Sequence, residues 1–304
     1  MIEVRYISSN KKEYNLIGDK MRPTDGSFHS YEWTPEVIER KVGETVTGFT
    51  KASKIYQITL TIRGKLEDRK ALIDDITDAF EHDVINVSPG RIYFGDWYID
   101  CFIKDKTTGI SGTWNNWTEL QIGIYCPYPS WITECKRSFQ KIINGSGESE
   151  EFLDYEHDYG YDYTMPYGGD VIWQVDHYAP CEYEMIIYGP CVDPRVVING
   201  HIYQVYATLD ENDYLKINSR ENSVVQYLVN GTQRDLYDYR VKITGSLFDP
   251  IKPGNVRVVW SGEFGFDLTL FCERSEPRCR KFSPSPGAVS TASVSPAPSP
   301  SGTS

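Results

Sequence analysis

The sequence predicts a mainly β protein, in which an N-terminal α+β domain with one helix is followed by a β-sandwich. Three observations carry this prediction. Strand-like alternation of apolar and polar residues recurs along most of the chain. Helical periodicity is confined to one stretch that begins near residue 66. Beyond about residue 170, short strand patterns separated by turn signals follow one another with almost no helix signal, which is typical of a sandwich.

Strand patterns of the first half lie on both sides of the predicted helix. Residues 55–62 place their apolar side chains largely at alternate positions, as a half-buried strand requires. Residues 91–94 and 97–104 flank Gly95-Asp96, which suits a type II′ hairpin with glycine first. Residues 119–126 alternate again and predict the strand that closes this domain.

The helix is expected over residues 66–81. Its apolar residues form one stripe at helical spacing: Leu66, Leu72, Ile73, Ile76, Ala79 and Phe80. Glu67 and Asp68 lie in the first turn, where the helix dipole favours negative charge. This stripe is expected to pack on the sheet of its own domain rather than to hold a cofactor.

The second half contains nine strand patterns: residues 171–175, 183–188, 196–199, 202–209, 214–218, 224–229, 236–243, 256–260 and 266–271. Asn199-Gly200 and Asn230-Gly231 predict tight hairpins between neighbouring strands. We therefore divide the chain into an N-terminal α+β domain (1–135), an acidic, Tyr-rich connector or loop (136–170), a β-sandwich (171–280) and a Ser/Pro-rich disordered tail (281–304).

Composition excludes several classes of partner. The 304-residue chain has a formal net charge of −12, which disfavours binding to nucleic acid or to an anionic membrane. No signal peptide or membrane span is predicted, so synthesis in the cytoplasm is expected. Seven widely spaced cysteines indicate reduced thiols that mostly fill the core. The 22 tyrosines and seven tryptophans suit protein interfaces or, equally, strands.

No pattern predicts a catalytic, cofactor or metal site. The motifs of nucleotide-binding loops, zinc proteases and serine hydrolases are absent. The acidic stretch 154–162 resembles a calcium loop, but Tyr159 and Met165 stand where an EF-hand requires glycine and glutamate. Trp173 and Trp260 could form a sugar platform, although a core position is the more common role of a sandwich tryptophan. We therefore expect no enzyme activity.

The order of three stretches resembles the distal tail proteins of long-tailed (siphovirus-like) bacteriophages. The first comprises residues 56–60, the 66–81 helix and residues 84–100, which include Ser88-Pro89-Gly90. The second is residues 119–131. The third begins at Gly189-Pro190-Cys191 and continues through Asn199-Gly200 and residues 213–218 to Pro253-Gly254-Asn255. Together these stretches cover most of residues 50–270.

This resemblance implies a structural protein of the phage tail tip, in the virion and made in the host cytoplasm. It implies an N-terminal domain that assembles into a homo-hexameric ring around a channel for DNA, and a galectin-like C-terminal sandwich. The implied partners are the tail tube protein, the tape measure protein, and the tail-associated lysin or tail-tip hub. The alternative is a carbohydrate-binding host-adhesion module on a β-sandwich. No inserted carbohydrate-binding module is present, and residues 148–170 match nothing in the family.

One contact patch is predicted for this assembly. It consists of four residues between two strand patterns: Trp114, Asn115, Asn116 and Trp117. Two tryptophans in a loop are difficult to bury within one subunit, so a partner surface is one interpretation. A small satellite cluster within the subunit is the other.

Overall fold

The computed structural model describes residues 3–109, 116–142, 169–242 and 245–278. Within these residues the first half contains one helix, α1 (Leu66–Ile85), and ten strands. These strands are β1 (Val4–Ile7), β2 (Glu13–Asn15), β3 (Met21–Asp25), β4 (Thr34–Glu39), β5 (Glu44–Thr50), β6 (Lys54–Arg63), β7 (Gly90–Phe94), β8 (Trp97–Thr108), β9 (Trp117–Cys126) and β10 (Trp131–Phe139).

The second half of the described chain contributes eleven further strands and one turn of 3-10 helix at Tyr237–Tyr239. The strands are β11 (Gly169–Val175), β12 (Glu182–Tyr188), β13 (Cys191–Val192), β14 (Arg195–Ile198), β15 (His201–Gln204), β16 (Thr208–Leu209), β17 (Tyr214–Asn218), β18 (Ser223–Tyr227), β19 (Gln233–Asp235), β20 (Gly254–Trp260) and β21 (Phe266–Arg274). The protein is thus mainly β with one α-helix among the residues described, as the sequence predicts.

One antiparallel sheet runs through both halves. Its strands lie in the order β19-β18-β17-β12-β21-β10-β8-β7-β1-β2, and a branch at β8 adds β9, β6 and β3. Strand β10 connects the halves, because it pairs with β21 along its whole length and with β8 at Ile132 and Tyr98. A second sheet, β11-β20-β14-β15, shares a hydrophobic core with the C-terminal part of the large sheet. The hairpin β4-β5 forms a sheet by itself.

Each half has its own hydrophobic core. In the N-terminal half, α1 buries Ile73, Ile76, Ala79 and Phe80 against the sheet, and these residues belong to the predicted apolar stripe. The helix continues four residues beyond the predicted end at residue 81. In the C-terminal half, the side chains between the two sheets form a β-sandwich core that includes Trp173, Trp260 and Phe266. Both tryptophans therefore take the core role that we considered the more common one.

Two of the predicted turns have the expected backbone. Gly95 has a φ of 61°, and Asp96 is not left-handed, which fits the first position of a type II′ turn between β7 and β8. Asn199 and Gly200 have φ values of 52° and 84°, as a type I′ turn between β14 and β15 requires. Glycine and asparagine tolerate this left-handed region better than other residues, and this preference explains why the turn sequences were predictive.

The structure differs from the predicted strands at residues 236–243. Tyr237–Tyr239 form a 3-10 turn, and the strand β19 lies earlier, at Gln233–Asp235. The Asp235 carboxylate accepts a hydrogen bond of 2.9 Å from the Tyr237 amide, and the Arg240 guanidinium lies 3.7 Å from the centre of the Tyr237 ring. Such a local side-chain hydrogen bond competes with a sheet ladder. The prediction of a strand there was therefore wrong.

Residues 136–139 differ from the predicted connector, because they continue β10 and pair with β21 as far as Phe139. The proposed limit at residue 135 therefore falls inside a strand. The division of the chain into domains otherwise stays a prediction. Residues 143–168, which include the acidic stretch, and residues 279–304 lie outside the described residues.

Alanine in place of Gly169 is expected to destabilise the sandwich by about 1–3 kcal/mol. A Cβ at this position would lie 2.1–2.4 Å from three atoms of the Trp260 indole, which is packed in the sandwich core. The measurement is the free energy of unfolding in urea. Gly18→Ala is the matched control, because its Cβ would meet no atom closer than 3.7 Å. Equal unfolding free energies for the two variants would contradict the prediction.

Candidate assembly surfaces

The predicted contact patch is described only in part. Trp114 and Asn115 lie outside the described residues. The Asn116 carbonyl accepts a hydrogen bond of 3.1 Å from the Gly64 amide, and Trp117 pairs with Arg63 at the end of the β6-β9 ladder. The Trp117 side chain is 42% exposed. A contact function for these four residues stays a prediction.

A much larger exposed surface lies on the hairpin β4-β5, which we call the arm (Thr34–Thr50). The two strands of the arm pair only with each other within the described chain. None of the arm residues is buried, and most are exposed. The sequence patterns did not predict this element. Its signal is the alternation of Val, Thr and Ile around Lys41-Val42-Gly43, which is weak because charged residues interrupt it.

One face of the arm is apolar although it lies in solvent. The register pairs Val37 with Val46 and Pro35 with Phe49, so these four side chains point to the same side. Val37, Val46 and Phe49 are 41%, 53% and 58% exposed. Val42 at the tip is 90% exposed. An apolar strip of this kind is typical of a surface that another protein covers.

Two lysines hold the base of the arm against the body of the protein. The Lys51 ammonium lies 4.6 Å from the centre of the Trp33 ring and donates hydrogen bonds to the Pro129 carbonyl and to the Ser275 hydroxyl. Its partners belong to both halves of the chain, and burial lowers its pKa. The Lys54 ammonium is hydrogen-bonded to Ser30. These contacts set the direction in which the arm leaves the body.

The sheet branch β3-β6-β9-β8 presents a polar face on the side opposite the helix. Its register brings Thr59 next to Gln121 and Gln57 next to Gly123. Acidic and basic side chains surround this uncharged centre: Asp25, Asp105 and Glu119, with Arg22 and Arg63. The Lys104 ammonium lies 3.3 Å from the Asp105 carboxylate, so the acidic and basic groups around this centre balance.

A buried carboxylate joins β1 to the end of α1. The Asp83 side chain is fully buried and accepts hydrogen bonds from the hydroxyls of Tyr6, Ser8 and Ser9 and from the Ser9 amide. Burial raises the pKa of Asp83, but these hydrogen bonds outweigh burial, and the pKa is lowered overall. Ser9 also contacts His82. In a catalytic triad the histidine lies between the carboxylate and the serine, whereas the Asp83 carboxylate contacts Ser9 directly. The network is therefore not a triad, and its role is to hold α1 against β1.

The sugar platform that we considered as the less common alternative is not present on the surface, because Trp173 and Trp260 are only 7% and 6% exposed. The residues that the structure describes contain no cluster of three or more His, Cys, Asp or Glu side chains arranged to hold a metal ion. Helix α1, the one α-helix of the described chain, is too polar to cross a bilayer.

The fold of this chain is similar to that of solved phage proteins. The SPP1 Dit (gp 19.1) protein, described as a paradigm of the hub adsorption apparatus in phages that infect Gram-positive hosts, superposes with a TM-score of 0.58. The match has 11% sequence identity and covers 89% of this chain and 99% of that chain. The chain has the distal tail protein fold.

Two further structures share the distal tail fold. They are chains of the phage P2 baseplate in its activated conformation, one with Ca and one with Sr. Their TM-scores are 0.57 and 0.58, each at 13% identity, and each match covers 91% of this chain and 100% of the other. No family model and no curated protein sequence matches the chain. At these identities the likeness concerns the distal tail fold alone.

Proposed function

We propose that the chain is a structural, non-enzymatic protein of a phage tail tip. In this proposal six copies form a ring that joins the tail tube to the tail-tip hub and leaves a channel for DNA. The exposed arm carries the proposal. The distal tail fold supports it, because the chain matches nearly the full length of a phage hub protein.

A lone two-stranded hairpin has marginal stability in water, and the apolar face of the arm adds a further cost of exposure. Both are relieved if a second copy of the chain covers Val37, Val46 and Phe49. The arm is anchored at its base by the hydrogen bonds of Lys51 and Lys54. Contact between the arm of one copy and a different surface of the next copy is heterologous, and such contacts form a ring when the rotation between copies closes.

The polar face of the β3-β6-β9-β8 branch suits the lining of the channel. Its centre is uncharged, and the acidic and basic side chains of its rim balance, so phosphates gain no cluster of basic side chains to bind. A lining of this kind lets DNA pass without specific binding. Substituting lysine along this face, as in Thr59→Lys, is the change that would slow DNA passage.

The partners in this proposal are the tail tube protein, the tape measure protein, and the tail-associated lysin or tail-tip hub. In this proposal the protein is located in the virion, after its synthesis in the host cytoplasm. Binding of a glycan as the main function is not supported, because both tryptophans that were candidates for a sugar platform lie in the core.

The solution mass of the purified chain tests the proposal. Light scattering at several concentrations, with residues 281–304 removed in a parallel sample, is expected to give a hexamer or an assembly that grows towards it. Negative-stain electron microscopy is expected to show rings with a central opening. A strict monomer at the highest concentration, both alone and with its tail tube protein, would contradict the ring.

A further inference from the structure

Three thiols meet in the core of the C-terminal half. Cys135 lies on β10, Cys272 lies on β21, and Cys181 directly precedes β12; each is at most 5% exposed. The Sγ atom of Cys272 is 3.3 Å from that of Cys135 and 3.7 Å from that of Cys181. Cys272 therefore touches both of the other thiols. The interpretation of these residues as core fillers does not account for this contact.

The register favours one pair over the other. Glu182 pairs with Phe271, so Cys181 comes opposite Cys272 when the antiparallel pairing is continued by one residue. Opposite residues have Cα atoms about 4.5–5.5 Å apart, and a disulfide spans about 4.4–6.8 Å between Cα atoms. Cys135 is diagonal to Cys272, because Thr133 is the residue paired with Cys272. Diagonal neighbours are about 7–8 Å apart, which is at the limit for a disulfide.

The surroundings of Cys272 keep its thiol protonated. Contact with Cys135 lowers the pKa of Cys272, but contact with Cys181 and burial outweigh it and raise the pKa to about 12. Because the thiolate is the reactive form, oxidation of the folded chain is slow. It proceeds when the ends of β12 and β21 open briefly. In a reducing cytoplasm the three thiols stay reduced.

We propose that Cys181 and Cys272 form a disulfide when the folded chain meets a small disulfide oxidant such as oxidised glutathione, while Cys135 remains a thiol. The Cys272 thiolate attacks one sulfur of the oxidant, which forms a mixed disulfide and releases one glutathione. The Cys181 thiolate then attacks the Cys272 sulfur, forms the S–S bond and releases the second glutathione. The chain loses two electrons, and both thiol protons end on the two glutathione molecules.

The bond joins β12 to β21, the central neighbours of the large sheet, and closes a long loop. Closing a long loop lowers the entropy of the unfolded chain, so the oxidised chain is expected to unfold at a higher temperature. This inference goes beyond the proposed ring and does not depend on it. For a particle released from a reducing cytoplasm, the bond would form outside the cell.

The test uses the full-length folded chain, incubated with oxidised glutathione and then alkylated, digested and mapped by mass spectrometry. The expected result is a disulfide-linked peptide pair that contains Cys181 bound to Cys272. The mass of the intact chain is expected to be about 2 Da lower, because the bond removes two hydrogen atoms. The unfolding temperature is expected to rise, and dithiothreitol is expected to reverse both changes. A folded chain that keeps Cys181 and Cys272 alkylatable after prolonged oxidation would overturn the proposal.

Variants and an unfolded control identify the pair. Cys135→Ala is expected to keep the bond, whereas Cys181→Ala and Cys272→Ala lose it; Cys191→Ala is the control outside the cluster. A bond that persists in Cys181→Ala but disappears in Cys135→Ala would overturn the choice of Cys181. In urea, loop entropy favours pairing between near neighbours such as Cys181 and Cys191. The Cys181–Cys272 bond must therefore predominate only when the chain is oxidised in its folded state.

Discussion

The double variant Val37→Asp, Val46→Asp is expected to assemble at least about 100-fold more weakly than the unchanged chain. Both valines lie on the apolar face of the arm and are paired with each other. Covering one valine side chain contributes about 1.5 kcal/mol or more, and an aspartate at the same place would have to give up its hydration. The measurement is the concentration dependence of the mass in light scattering or sedimentation.

The matched control is Val192→Asp, Val229→Asp, which replaces two exposed valines of the C-terminal half. Those side chains are 69% and 75% exposed, so the change in charge is the same but the place is different. The control is expected to assemble like the unchanged chain. If both double variants weaken assembly equally, the effect is one of net charge, and the arm has no special part in the interface.

Replacing Asp83 by alanine is expected to lower the free energy of unfolding by about 4 kcal/mol. The substitution removes the acceptor of four hydrogen bonds and leaves the hydroxyls of Tyr6 and Ser8 buried without it. Asp83→Asn keeps one acceptor oxygen and is expected to lose about half as much. The measurement is urea unfolding. Asp74→Ala, at an exposed position of the same helix, is the control and is expected to change little.

Asp83 also predicts a pH dependence. Its pKa in the folded state is lower than that of an aspartate in the unfolded chain, which is about 3.9. The stabilisation is therefore fully present above about pH 4 and is lost as the pH falls through the folded-state pKa. Between pH 5 and pH 2 the unchanged chain is expected to lose more stability than Asp83→Asn. If the free energy of unfolding has the same pH dependence in the unchanged chain and in Asp83→Asn, the charge of the Asp83 carboxylate contributes nothing to stability.

Local patterns were sufficient for much of the fold. The alternation at residues 55–62 and 119–126 located β6 and β9, because a strand with one buried face must alternate. Asn199-Gly200 located a hairpin, because few other dipeptides tolerate two left-handed residues. The strand prediction at residues 236–243 failed, because the Asp235 side chain satisfies a backbone amide that a sheet would otherwise have used.

The candidate site was harder to predict than the fold. The sequence drew attention to Trp114 and Trp117, because aromatic residues in a loop are conspicuous. The arm was missed, because an element that no other part of the same chain covers carries no buried stripe. Its valines resemble those of any short strand in the sequence. Only their common exposed face in the folded chain distinguishes them.

The sequence by itself determined the mainly β class, the single helix of the described chain and several turns, because these follow from contacts between residues close together in the chain. The tertiary structure alone decided that Trp173 and Trp260 are core residues, that β10 joins the two halves and that three distant thiols meet. Each of these depends on the pairing of strands that are far apart in sequence. Periodicity shows which face of a strand is buried, but it does not show which strand lies beside it.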